Sequence, residues 1–318
     1  MTKKLRIVFF GSPAAAVPFL SYLIEHEQVV GVVTRPDKPS GRGRKITQTP
    51  VAEVAAGAVN LKKPRNLSDL DFGNWLTALK CDLGVVVAYG KIIPEKIISI
   101  PKHGCINIHF SLLPQFRGPA PVQHAIMHNC LETGVTSFSL RKEIDTGPIY
   151  VQHNVAVDQD DDAESLMNKL IPAGKGVLVE TLMQLKNNSL KGISQSGPVS
   201  YAPLIKKEDG RINWEDDPRT IIGKIKALIG WPYAFTTLGS GKRLKITQAQ
   251  ARNTHDHERL TQAPGTVTGL VKDQGFIVQC SGAGVLILRV IPEGKKEMSA
   301  WDFLQGRKLK AGDRLGSL

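Results

Sequence analysis

A chain of 318 residues with 42% hydrophobic content is long enough for two packed domains, and its 41 Lys and Arg against 29 Asp and Glu leave a net charge of +12. Four scattered cysteines, Cys81, Cys105, Cys130 and Cys280, form no C-x-x-C pair, and no histidine cluster has ligand spacing, so neither a disulfide framework nor a metal site is expected. The first apolar run, Leu5 to Phe10, is far too short for a signal segment or a membrane span, so the chain reads as cytoplasmic with no membrane partner.

That run is closed by Gly11-Ser12-Pro13 and followed by a helical composition from Ala14 to Ile24, which reads as strand, turn, helix. A second strand, Val29 to Thr34, leads into Arg35 to Lys45, a basic stretch without apolar periodicity that reads as a flexible loop. Helices are expected at Asp69 to Leu79, Gln123 to Met127 and Asp162 to Leu185, and strands at Leu83 to Val87, Cys105 to Phe110 and Val135 to Leu140. Strands alternating with helices indicate an α/β, doubly wound, mostly parallel sheet. The acidic run Asp158 to Glu164 complements a helix N-terminus.

Asn187 to Ser200 has linker composition, and beyond Lys206 the pattern changes. One helix, Arg219 to Leu228, precedes short Gly-punctuated apolar runs at Tyr233 to Leu238, Leu244 to Ile246, Gly265 to Val271, Gly275 to Cys280 and Gly284 to Val290, and a last helix spans Ser299 to Leu304. Runs of this kind suggest a small barrel or sandwich. The expected architecture is a Rossmann-like sheet domain, 1–206, followed by a small barrel or sandwich, 207–318. After Ser200 there are 19 Lys and Arg against 12 Asp and Glu, a surplus of +7 against +5 for the first 200 residues. The smaller part is the more basic per residue, as a polyanion-binding module would be. His255 and His257 lie in a polar stretch and read as surface residues.

The most informative segment is Gly104-Cys105-Ile106-Asn107-Ile108-His109-Phe110-Ser111-Leu112-Leu113-Pro114. On a strand, Asn107 and His109 share one face and Ile106, Ile108 and Phe110 the other. A covered parallel strand should be apolar on both faces, so two polar residues near its C-terminal end mark the crevice where such sheets bind ligands. A carboxamide and an imidazole on one face can both donate to a developing oxyanion, as acyl transfer requires. Asp145, in Ile144-Asp145-Thr146-Gly147-Pro148, is a candidate for managing protons, although Asp-Thr-Gly is also a common turn and the spacing does not decide between the two.

Asn107, His109, Ser111-Leu112-Leu113-Pro114 and Asp145-Thr146-Gly147 resemble the signature of the folate-dependent formyltransferases. Phe10-Gly11-Ser12-Pro13, Val86 to Pro94 and Gly230-Trp231-Pro232 extend the resemblance nearly end to end. It implies a catalytic trio of Asn107, His109 and Asp145 and 10-formyltetrahydrofolate as co-substrate. It also implies a reduced-folate pocket lined by Val87, Tyr89, Gly90, Ile92, Ser111, Leu112, Leu113 and Pro114, and it makes 207–318 an OB-like β-barrel. The loop around Gly41-Arg42-Gly43 and the basic C-terminal part resemble those members of the family that act on the methionine of initiator methionyl-tRNA. Arg42, Arg44 and Lys45 would meet that tRNA, and the protein would work as a monomer. Phe110 and Arg141-Lys142-Glu143 depart from the family pattern, which bears on pocket shape and on how the loop before Asp145 is held. The resemblance leaves open whether Asp145 takes the proton or orients His109. Other acceptors for the formyl group, a nucleotide-dependent dehydrogenase and a plain RNA-binding module are the competing readings. The dehydrogenase is weakened by a first turn that offers only Gly11 and no G-x-G-x-x-G.

Overall fold

The computed structural model describes residues 4–40, 45–57, 59–252, 262–306 and 309–316. They divide into one unit made of Met1–Pro121, Glu132–Ala156 and Met167–Pro203, and another made of Val122–Leu131, Val157–Leu166 and Leu204–Leu318. In chain order come β1 (Arg6–Gly11), α1 (Val17–His26), β2 (Gln28–Val33), β3 (Lys38–Ser40), β4 (Lys45–Thr47), α2 (Pro50–Ala55), β5 (Leu61–Lys62), α3 (Leu70–Ala78) and β6 (Leu83–Val87). Then follow α4 (Glu95–Ile98), β7 (Cys105–His109), α5 (Pro121–Met127), β8 (Glu132–Ser139), β9 (Ile149–Ala156) and α6 (Ala163–Lys186).

Seven strands form one sheet in the order β5-β2-β1-β6-β7-β8-β9. The first five positions are parallel, and β8 and β9 close the edge as an antiparallel hairpin. All five residues of β6 are buried, as a strand covered on both faces requires. On one face Val8, Phe10, Val33, Val86 and Cys105 pack with Phe72 and Leu76 of α3 and Ile97 and Ile98 of α4. The helical segment after β1 begins as a 3-10 turn, Ala14–Ala16, before α1. In α6, Oδ1 of Asp162 accepts the amides of Glu164 and Ser165, so the acidic run does start the helix as its capping group.

Three expectations change. The basic loop after β2 contains a short antiparallel hairpin, β3 with β4, around residues 41–44, which lie outside the described residues. The edge strand β9 has no counterpart in the expected elements. Asn187 to Ser200 is not a free linker: Ile193 bridges Ile149, the carbonyl of Ser200 accepts the amide of Arg117, and the amide of Ser200 donates to the carbonyl of Pro114. Its polar composition serves hydrogen bonding to neighbouring loops, which composition alone does not distinguish from solvation.

In the other unit come α7 (Pro218–Ala227), β10 (Ala234–Thr237), β11 (Arg243–Arg252), β12 (Val267–Val271), β13 (Gly275–Cys280), β14 (Ala283–Pro292), β15 (Met298–Ser299) and α8 (Ala300–Gln305). The strands pair antiparallel in the order β10-β11-β14-β13-β12, with β15 on β14. Ile221, Ile225, Leu244, Ile246, Phe276, Val278, Ile287 and Phe303 share its core. His255, His257, Arg307 and Lys308 lie outside the described residues. No helix among the described residues is long and apolar enough to cross a membrane.

Candidate active site

β7 places the first two site residues. Asn107 pairs in register with Val86 of β6 and Phe138 of β8, and His109 pairs with Thr136. Cys105, two residues before Asn107, belongs to the core on the α3 and α4 face, so the pleat carries Asn107 and His109 on that face. Phe110 points the other way and packs edge-on against Phe19 of α1, ring centroids 6.1 Å apart. The bulk at position 110 is therefore absorbed by the opposite core. Asn107 is half-buried, and its carboxamide has no hydrogen-bond partner among the described residues.

The third residue arrives on the connection between β8 and β9, which folds back toward the end of β7. Nδ1 of His109 lies 3.7 Å from Oδ2 of Asp145, with both side chains largely buried. The same carboxylate oxygen accepts the amide of Gly118 at 2.8 Å. Nε2 of His109 sits 2.9 Å from the carbonyl of Phe116, and because a carbonyl only accepts, Nε2 carries the hydrogen. Nδ1 is then the ring atom at which a proton can arrive, and it faces the carboxylate. The ring edge of His109 also packs against Phe138, 6.3 Å between centroids.

Asp145 has φ +53, the left-handed region that side chains other than Gly, Asn and Asp seldom occupy. Two positions later, a Cβ on Gly147 would fall 1.7 Å from the carbonyl oxygen of Ser139, so only glycine lets the turn close on β8. Arg141, Lys142 and Glu143 are exposed, and the carbonyl of Glu143 accepts the Thr146 hydroxyl. Sequence reading missed the groups that hold this turn. Gln195 donates from Nε2 to the carbonyls of Asp145 and Gly147 at 2.8 and 2.9 Å, and Arg117 donates from Nε and Nη2 to Oε1 of Gln195 at 3.2 and 2.7 Å. Neither residue belongs to a run with a spacing signal, so only the fold reveals them.

The eight residues expected to line a folate pocket lie at or just beyond the C-terminal ends of the neighbouring strands β6 and β7, Val87 closing β6 itself. Val87 and Tyr89 are buried, whereas Gly90 is exposed and Ile92 is 75% exposed. The phenol of Tyr89 has no hydrogen-bond partner among the described residues, and burial pushes its pKa up to about 12. In the other loop the Ser111 hydroxyl donates to the carbonyl of Gln115, Leu113 and Pro114 are buried, and Leu112 is half-buried. Thr136 and Gln152 tie the loop down through the carbonyls of Ser111 and Leu113. Arg42 and Arg44 lie outside the described residues, and for Lys45 only the backbone, which opens β4, is described. Cys105 is buried in the core and its thiol is pushed up to about 12 by burial, so it presents no thiolate at neutral pH. Among the described residues no group of three or more His, Cys, Asp or Glu is arranged to hold a metal ion.

A family profile described as Formyl transferase matches residues 5–182, and one described as Formyl transferase, C-terminal domain, matches 204–308. A methionyl-tRNA formyltransferase of Thermodesulfovibrio yellowstonii is 38% identical over 309 residues, covering 96% of this chain and 97% of that protein. One of Myxococcus xanthus is 42% identical over 311 residues, covering 97% of each. Among solved structures, the sugar 3N-formyl transferase WlaRD superposes with a TM-score of 0.63 at 21% identity, over 92% of this chain and 99% of that one. HypX from Aquifex aeolicus, in complex with tetrahydrofolic acid, superposes with a TM-score of 0.63 at 18% identity, over 95% of this chain and 47% of that one. These structures share the fold, while the profiles and full-length relatives carry the assignment: the chain belongs to the formyl transferase family.

Proposed function

We propose that this protein transfers the formyl group of 10-formyltetrahydrofolate to the α-amine of methionyl initiator tRNA, giving N-formylmethionyl-tRNA and tetrahydrofolate. The observation that carries the reading is the carboxamide of Asn107, unpaired among the described residues, beside His109, with Asp145 3.7 Å from Nδ1. A half-buried amide without a protein partner fits a site whose acceptor atom comes with the substrate. The full-length relatives bearing the name methionyl-tRNA formyltransferase support the acceptor, and the tetrahydrofolic acid complex of a protein with the same fold supports the donor.

In this reading Asn107 donates its N–H to the oxygen that gains charge as the amine adds to the formyl carbon. Nδ1 of His109 receives the amine proton, directly or through water, and Asp145 stabilises the ring in its charged form. The same proton can then be given to the departing folate nitrogen, so the transfer is balanced without a covalent enzyme intermediate. Val87, Tyr89, Gly90, Ile92 and Ser111 to Pro114 would shape the folate pocket, with the exposed Ile92 available to pack against a ring. Arg42, Arg44 and Lys45 would meet the acceptor end of the tRNA. The basic second part, 207–318, closing as an OB-like barrel, would meet its phosphates, while 1–206 carries the chemistry. We assign the working protein as a cytoplasmic monomer.

The test is formyl transfer from 10-formyltetrahydrofolate to methionyl initiator tRNA. Asn107→Ala should lower kcat by about 10²–10³. Changing Arg42 and Arg44 together to Ala should raise KM for the tRNA with a smaller effect on kcat. Turnover with water or a small amine but none with charged tRNA would leave a formyltransferase and sink the tRNA acceptor.

A further inference from the structure

We propose that Gln195 is a positioning residue for the reaction, holding the Asp145 turn in its left-handed conformation and thereby setting the carboxylate against His109. The proposal rests on the functional reading above. Gln195 has four hydrogen-bond positions on its side chain and uses all four. Both Nε2 hydrogens go to carbonyls of the turn, those of Asp145 and Gly147, and both Oε1 lone pairs accept from Arg117. Because the guanidinium can only donate, it fixes which end of the amide is oxygen and so which end faces the turn.

Arg117 is not an arbitrary anchor. It is the middle residue of Phe116-Arg117-Gly118, whose first member takes the Nε2 hydrogen of His109 and whose last gives its amide to Asp145. That segment is itself fixed to the 193–202 strap, since Ser200 accepts the amides of Phe116 and Arg117 through its hydroxyl and carbonyl, and Arg117 accepts the amide of Ala202. The two titratable members of the trio are thus both referenced to three consecutive residues, and Gln195 closes the circuit on the Asp145 side. Without it, the φ +53 turn keeps no side-chain donor among the described residues for the carbonyls of Asp145 and Gly147. A displacement of about 1 Å at such a group is enough to cost on the order of 10²-fold in rate.

The informative variant is Gln195→Glu, which fills the same space and pairs with Arg117 at least as well, but turns two donors into acceptors facing two carbonyls. Gln195→Ala accompanies it as the variant that removes the side chain. The expected result is a 10- to 100-fold fall in kcat for both, on the scale of a misplaced group, with KM for the folate donor changed less than about threefold. In an Asp145→Asn background, Gln195→Glu should have less than about a twofold further effect, because its influence passes through Asp145. Amide hydrogen exchange at Gly118, read by NMR without substrate, should quicken at least about tenfold in Gln195→Glu as its acceptor moves away. A wild-type kcat in Gln195→Glu, or an equal loss in the two backgrounds, would overturn the proposal. If the wild type transfers no formyl group, the functional reading fails, and the Gly118 amide alone decides whether Gln195 holds Asp145.

Discussion

Gly147 and Asp145 show how much of the site depends on backbone rather than on functional groups. The carbonyl oxygen of Ser139 occupies the space a side chain at 147 would need, 1.7 Å from where its Cβ would stand. Gly147→Ala is therefore expected to push the turn off β8, destabilising the fold by about 1–3 kcal/mol and lowering kcat on the order of 10²-fold. Thermal unfolding and steady-state kinetics on the same preparation check both, and an unchanged kcat would detach the turn from the chemistry. The tie of Gly147 to the site was legible in the sequence only as part of a motif, because Asp-Thr-Gly is equally an ordinary turn. What separates the two cases is the contact with Ser139, eight residues earlier, and with Gln195, far downstream. Asn107 and His109 were readable because a period-two strand with two polar residues on one side contradicts burial on both faces. Gln195 was not, since a Gln among Ser and Gly carries no periodicity and its partners are brought near only by tertiary structure.

Among the elements, those with clear punctuation were read to within a few residues, as β13, Gly275–Cys280, and α7, Pro218–Ala227, illustrate. β9 escaped because Ile149–Ala156 mixes His, Asn and Gln into an edge strand whose outer residues meet solvent. Helix α7 has a strong start signal in Asp217-Pro218, and the carboxylate of Asp217 accepts the amides of Arg219 and Thr220 and the Thr220 hydroxyl. The hydroxyl and amide of Thr220 and the amide of Arg219 hold the Asp217 carboxyl below its ordinary value. A carboxyl depressed in the folded state contributes stability that is complete above its unfolded value, near pH ~4, and that fades as the pH falls through the lower folded value. Asp217→Ala should accordingly cost about 0.5–2 kcal/mol near neutrality. That difference from wild type should shrink on acidification below pH ~4. Chemical denaturation at two pH values measures it, and a gap that widened in acid would contradict the capping role.

For the molecule as a whole, the +12 charge was plain from composition, whereas its placement was not, because part of it falls on Arg42 and Arg44 and on Arg307 and Lys308, outside the described residues. If tRNA is the acceptor, KM for tRNA should rise steeply with salt as counterions are released, and the slope of log KM against log salt should drop by about 0.7–0.9 for each phosphate contact removed with Arg42 and Arg44. A slope indifferent to salt would place the positive surplus away from the substrate. The laced segment 193–202 carries a practical consequence for anyone exchanging C-terminal parts between members of this family. A chimaera joined anywhere from the end of α6 to Gln195 would look conservative, since Asn107, His109 and Asp145 would all come from the recipient. It would nevertheless import the residue that grips Asp145 from the donor, together with Ser200 and Ala202. A seam placed after Pro203 keeps the grip and the gripped in one lineage, and hybrids built on either side of it should differ in turnover even when they bind the same tRNA.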